Sequence, residues 1–168
     1  MVLENKKFSV LVIEDDELDR LVISKALQNT DIKPEIVFAY DLESGIEAAF
    51  KKNYDCIFLD YNLPGGTGHD LLRKIRDKGN LSPVIVVTSQ GDERIAVEMI
   101  KSGASDYIPK DMLTSEGTSK LLSDIIEKTT HGKSQNEVAI LVSPPDEIAE
   151  NLTLVFKIKD FSLKDYLN

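Results

Sequence analysis

Ser9-Val10-Leu11-Val12-Ile13-Glu14-Asp15-Asp16 decides the fold, because an apolar, mostly β-branched run ends there abruptly on three consecutive acids. Apolar residues at successive rather than alternate positions fit a strand covered on both faces, the condition of a parallel sheet flanked by helices. Outward from this stretch, which as a strand counts from Phe8 to Ile13, similar runs recur at Glu35 to Tyr40, Asp55 to Leu59, Pro83 to Val87 and Ser105 to Ile108. The gaps carry helical spacing: Leu18, Leu21, Val22 and Ala26, then Leu42, Ile46, Ala49 and Phe50, then Leu71, Leu72 and Ile75. Ile95, Ala96, Met99 and Ile100 supply the next, and Leu121, Leu122, Ile125 and Ile126 the last. Strands alternating with helices predict an α/β fold, a doubly wound five-stranded parallel sheet.

At 168 residues the chain holds one domain of ordinary size and a short appendage. Asp and Glu number 29 against 20 Lys and Arg, so the surface should repel phosphate backbones and anionic lipids, and direct nucleic-acid or membrane binding is not expected. The single cysteine, Cys56, lies inside an apolar run and reads as a small buried hydrophobe in a reducing compartment. Met1 to Lys7 is polar and the apolar run after it is too short for a signal peptide or a membrane span, which predicts a cytoplasmic protein.

In a doubly wound sheet, ligands bind outside the carboxyl ends of the strands, where the strand order reverses. Glu14, Asp15 and Asp16 follow strand one, Asp60 strand three, Thr88 strand four and Lys110 strand five. Two carboxylates about 4 Å apart repel by roughly 4 kcal/mol at an effective dielectric near 20, so gathering Asp15 and Asp60 at one edge calls for a cation. Hard oxygens with no Cys or His at ligand spacing favour Mg²⁺ or Mn²⁺. Asp60 can then serve as a carboxylate nucleophile toward phosphorus, with Lys110 balancing the charge and the Thr88 hydroxyl donating to a phosphoryl oxygen. Each residue alone reads as readily as a helix cap or a solvated loop side chain, and Asp15 and Asp16 precede a helix they could cap. Suitable groups at the ends of several different strands together favour the chemical reading.

The motifs Val10 to Asp16, Leu59-Asp60-Tyr61-Asn62-Leu63-Pro64-Gly65-Gly66-Thr67-Gly68, Val86-Val87-Thr88-Ser89 and Gly103-Ala104-Ser105-Asp106-Tyr107-Ile108-Pro109-Lys110 together resemble the receiver domain of two-component response regulators, chemotaxis-regulator-like. The resemblance implies a flavodoxin-like sheet with strand order 2-1-3-4-5 and a phosphorylation switch. A sensor histidine kinase or phosphotransfer protein would be the donor, and a downstream effector the recipient of the signal. It aligns Asp60 with the phosphoacceptor, and Glu14, Asp15, Asp60 and the backbone carbonyl of Asn62 with the Mg²⁺ ligands. Asp16 lies beyond that acidic pair and receives no role. Thr88 aligns with the switch hydroxyl, Lys110 with the lysine that pairs with the phosphoryl group, and Tyr107 with the aromatic that swings inward as Thr88 moves, in a two-state element that includes the helix of Asp92 to Gly103. Ser89 leaves room for a donor, Asn62 and Gln90 occupy positions that influence hydrolysis, and the Ile108–Pro109 bond is the one to inspect for a cis peptide. Two further readings stay open: a phosphohydrolase of the haloacid dehalogenase type, which expects an acid where Asn62 stands, and a receiver-shaped interaction module without phosphotransfer.

Gly65-Gly66-Thr67-Gly68 lacks the lysine and hydroxyl of a P-loop and reads as a tight loop and helix entry. His69 should be exposed or capping, and His131 should sit at a helix end beside Gly132. These features divide the chain into a receiver at 1–131 and a linker with a β-hairpin-like tail at 132–168. In the tail Gly132 to Asn136 reads as linker, Val138 to Val142 as a strand, Ser143-Pro144-Pro145 as a break, Leu152 to Ile158 as an alternating strand and Ser162 to Leu167 as the start of a helix. That tail is either the start of a truncated output domain or a docking or homodimer element.

Overall fold

The structure, a computed structural model, describes residues 7–89 and 93–140. The elements run β1 (Ser9–Ile13), α1 (Glu17–Gln28), β2 (Glu35–Ala39), α2 (Leu42–Lys51), β3 (Cys56–Asp60), β4 (Asn62–Leu63), β5 (Gly66–Thr67), α3 (Gly68–Asp77), β6 (Val84–Thr88), α4 (Glu93–Lys101), β7 (Asp106–Pro109) and α5 (Ser115–Ile140). A short 3₁₀ turn at Lys110–Met112 joins β7 to α5. The five long strands form one parallel sheet in the order β2-β1-β3-β6-β7. This is the expected order, with the fourth and fifth long strands numbered six and seven because a small antiparallel hairpin, β4 with β5, intervenes. Its turn has Pro64 followed by Gly65 at φ +89°, the residue pattern of a type II turn.

The three central strands are buried along their whole length, as their unbroken apolar runs require. Alternate residues feed two cores, one on each face. Leu11, Ile13, Ile57, Leu59, Val84 and Val86 pack with Leu71, Leu72 and Ile75 of α3 and Met99 of α4. Val10, Val12, Cys56, Phe58, Ile85 and Val87 pack with Ile23 and Leu27 of α1 and Leu122 and Ile125 of α5. Cys56 is fully buried, and burial pushes its thiol pKa up, so it is a packing residue.

On α1 the structure corrects the expected apolar face. Ile23, Ala26 and Leu27 are buried, whereas Leu18 is 72% exposed, Leu21 49% and Val22 45%. The helix carries apolar residues on two sides, so spacing alone leaves its rotation open. The buried row runs back through Asp19, one turn before Ile23, toward the sheet edge.

The chain divides into two units, Met1–Ile125 and Ile126–Asn168. The sheet and every candidate residue among the described residues belong to the first. In the second, the backbone is helical as far as Ile140, which overturns the linker expected at Gly132 to Asn136 and the strand expected from Val138 to Ile140. His131 accordingly lies within α5 rather than at its end. One glycine costs a helix interior only about 1 kcal/mol relative to alanine, and propagation from a turn already formed adds a hydrogen bond per residue. Leu141, Val142, the proline break, the strand at Leu152 to Ile158 and the helix start at Ser162 lie outside the described residues.

Candidate functional site

β1 and β3 are neighbours in the sheet, but the chain leaves β1 for β2 on one side and returns to β3 on the other, so the crevice opens between their carboxyl ends. Glu14 and Asp15 leave β1 there, and Asp60 is the last residue of β3. One carboxylate oxygen from each of Glu14, Asp15 and Asp60 lies within 4.8 Å of the others. Glu14 and Asp60 are buried and Asp15 is exposed. Three hard carboxylates open to water on one side are the donor set that suits a small divalent cation.

Lys110 opens the turn after β7 and its ammonium enters the same crevice, 2.6 Å from Glu14 Oε2 and 3.4 Å from Asp60 Oδ1. The third acid on it was not foreseen: Asp19 Oδ2 of α1 accepts a hydrogen bond from Nζ at 2.7 Å. The signal that points to Asp19 is the i, i+4 row Asp19, Ile23, Leu27, legible once that row is known to face the sheet.

Burial raises the pKa of Glu14, against the lowering effect of Lys110 and with added repulsion from Asp60. Burial likewise raises that of Asp60, with Lys110 opposing and Asp15 reinforcing. Burial works to lower the Lys110 pKa, but the carboxylates of Asp19 and Glu14 outweigh it and hold the ammonium firmly protonated. The crevice therefore stores unfavourable negative charge that one lysine only partly offsets.

Local braces fix the loop after β1. The Glu14 amide donates to the Ala39 carbonyl at 3.0 Å and Glu14 Oε1 accepts from the Asp16 amide at 3.1 Å. Arg20 Nη1 donates to the carbonyls of Glu14 and Asp15 at 3.0 and 2.6 Å, and its guanidinium lies over the Tyr40 ring, 4.7 Å from the centroid. Asp16 caps α1, accepting from the amides of Leu18 and Asp19, which is the structural role its position suggested.

After Asp60, the Gly-rich loop makes the hairpin and enters α3, with Thr67 and Asp70 forming a reciprocal cap. A β-carbon on Gly68 would overlap the Asp60 carbonyl oxygen and stand 3.0 Å from Tyr61 Cα, so glycine is what lets α3 begin directly beneath the acid. Asn62 is exposed in β4. Thr88 is buried at the end of β6, opposite Pro109 in β7, and Tyr107, paired with Val86, packs partly buried against the core. No described peptide bond is cis, so Ile108–Pro109 is trans. Gln90 and Asp92 lie outside the described residues. His69 is half-buried rather than a cap: Nε2 lies 2.8 Å from Ser102 Oγ and Nδ1 3.5 Å from Glu98 Oε1, joining α3 to α4.

Residues 10–122 match the family model described as the response regulator receiver domain. The transcriptional regulatory protein QseB of Escherichia coli O157:H7 is 32% identical over 165 residues, which cover 94% of this chain and 73% of QseB. The transcriptional regulatory protein CutR of Streptomyces coelicolor is 35% identical over 107 residues, 64% of this chain but only 48% of CutR, so the chain spans about half the length of that relative. A crystal structure of a two-component response regulator from Clostridium difficile is 26% identical, with a TM-score of 0.65 over 72% of this chain and 97% of that one. These likenesses lend nothing to the phosphohydrolase reading. A doubly wound sheet whose crevice gathers Glu14, Asp15, Asp60 and Lys110, in a sequence that matches along most of its length, makes this chain a member of the response regulator receiver family of two-component systems.

Proposed function

We propose that the chain is a phosphorylation switch that takes a phosphoryl group onto Asp60 from a sensor histidine kinase or phosphotransfer protein. The observation that carries this reading is the Lys110 ammonium held between buried Glu14 and buried Asp60 at the carboxyl edge of the sheet. A buried charge cluster of this kind stabilises a fold no better than apolar packing would, so its chemistry is the better account of it.

Glu14, Asp15, Asp60 and the backbone carbonyl of Asn62 would hold Mg²⁺, with Mn²⁺ as the substitute of similar preference, and the bound ion would supply the positive charge that offsets the clustered carboxylates. The ionised Asp60 carboxylate forms a new O–P bond as the N–P bond of a phosphohistidine breaks and the imidazole leaves. With acetyl phosphate the bond broken is O–P and acetate leaves. Lys110 pairs with one phosphoryl oxygen and the Thr88 hydroxyl donates to another. Thr88 turning toward the phosphoryl group makes room for Tyr107 and biases α4, which alters the surface offered to an effector. Such a protein catalyses its own phosphorylation and the hydrolysis that ends it; partner affinity, rather than turnover, is its product.

We assign residues 1–131 to the receiver and 132–168 to a region that connects to output, cytoplasmic like the kinase modules it would meet. The match to QseB supports this, since 94% of the chain takes the alignment past the receiver. The test is mass spectrometry of the chain with acetyl phosphate and Mg²⁺. One added phosphoryl group on the wild type and none on Asp60→Ala is expected; equal labelling of the variant refutes the assignment.

A further inference from the structure

Lys110 has one acidic neighbour more than the strand ends supply. Its three ammonium hydrogens face Glu14 at 2.6 Å, Asp19 at 2.7 Å and Asp60 at 3.4 Å. Of the two short contacts, the one to Asp19 has hydrogen-bond geometry, and Glu14 Oε2 meets the ammonium as an ion pair without it. The lysine therefore sits between Glu14 after β1 and Asp19 on α1, and stands off from Asp60.

Asp19 differs from the other acids in origin and in freedom. It lies outside the three carboxylates that converge at the crevice. It reaches Lys110 because Ile23 and Leu27, on the same row of α1, are buried against the sheet and fix the rotation of the helix. Its side chain is 33% exposed, against 1% for Glu14, so it can turn to water where Glu14 cannot.

We propose that Asp19 is a positioning residue that competes with the phosphoryl group on Asp60 for Lys110 and thereby shortens the lifetime of the phosphorylated state. The proposal rests on Asp60 being the phosphoacceptor. A phosphoryl group adds roughly two negative charges and strong acceptor oxygens, and Lys110 is the cation beside it. An N–H donor held by Asp19 is one withheld from those oxygens, and the Asp19 charge offsets part of the ammonium's attraction for them. Neutralising Asp19 leaves Lys110 to Glu14 and the phosphoryl group.

The experiment compares the wild-type chain with Asp19→Asn and Asp19→Glu. Each is labelled with acetyl phosphate and Mg²⁺, the donor is removed, and loss of the phosphoryl mass is followed; beryllofluoride, a phosphoryl mimic, is titrated in parallel. Asp19→Asn should lengthen the lifetime and tighten beryllofluoride binding by about fivefold, the upper range for a partly exposed ion pair. Asp19→Glu keeps the charge and should stay close to wild type. Losing an acid from the first turn of α1 should lower the melting temperature of Asp19→Asn slightly, so a merely structural role would not lengthen the lifetime. An unchanged or shorter lifetime in Asp19→Asn, with the wild type labelled normally, overturns the competition. A wild type that takes no label overturns the assignment of Asp60 instead, and the proposal with it.

Discussion

Lys110 and Glu14 form a buried ion pair at 2.6 Å, with side chains 10% and 1% exposed, joining the end of β7 to the end of β1 across the sheet edge. Removing one member strands the other in a poorly solvated site. Lys110→Met should therefore destabilise the metal-free protein by about 3 kcal/mol at neutral pH, the lower end for breaking a buried pair. Urea denaturation checks this, and the loss should shrink at acid pH as Glu14 takes up a proton.

The pH dependence of the metal-free protein follows from the raised pKa values of Glu14 and Asp60. A carboxyl whose pKa is raised on folding favours the folded state below its unfolded pKa, and that contribution is lost as pH rises through the folded value. Lowered values at Asp41, Glu47 and Asp70 act in the opposite sense, supporting the fold above their unfolded pKa and weakening it at lower pH. The crevice pair is buried, whereas Glu47 and Asp70 are exposed and Asp41 half-buried, so as the pH falls from neutral toward the unfolded carboxylate range the crevice should dominate and the melting temperature rise. Added Mg²⁺ should flatten this trend, with most of its stabilisation at the higher pH. A melting temperature that falls over the same interval without metal would contradict the crevice assignment.

Asp15 is the exposed member of the carboxylate group, so its loss should barely affect the fold. Asp15→Ala should change stability by no more than about 0.5 kcal/mol, as surface substitutions do. Its Mg²⁺ affinity, measured by calorimetry, should fall by more than about tenfold, since loss of even an outer-shell partner costs that much.

Arg20 braces the backbone carbonyls of Glu14 and Asp15 with its guanidinium. Arg20→Ala should weaken Mg²⁺ binding by roughly tenfold while α1 remains folded by circular dichroism.

Gly68→Ala places a methyl group against the Asp60 carbonyl, which is backbone and cannot turn aside. A loss of about 1–3 kcal/mol is expected, the usual cost of overpacking, together with slower labelling of Asp60 by acetyl phosphate. Labelling at the wild-type rate would show that this loop tolerates displacement.

Much of the site was legible in the chain because strand ends are local features. Ile13-Glu14-Asp15, Leu59-Asp60 and Val87-Thr88 each mark where an apolar run gives way to a polar group, and parallel topology carries all such ends to one edge. His69 and the length of α5 were less legible. The ring's partners, Ser102 and Glu98, are distant in sequence, and a lone glycine at 132 is a weak helix breaker beside a helix already formed.

By itself the sequence determined the five-stranded parallel sheet and the gathering of Glu14, Asp15, Asp60 and Lys110 at its carboxyl edge, since buried apolar runs and right-handed crossovers admit few arrangements, while the strand order came with the resemblance to receivers. Only the tertiary structure decided which side of α1 faces inward. Leu18, Leu21 and Val22 compete on spacing with Ile23 and Leu27, Ala26 serving either face, and the choice rests on how the whole helix packs against the sheet. That rotation brings Asp19 to Lys110.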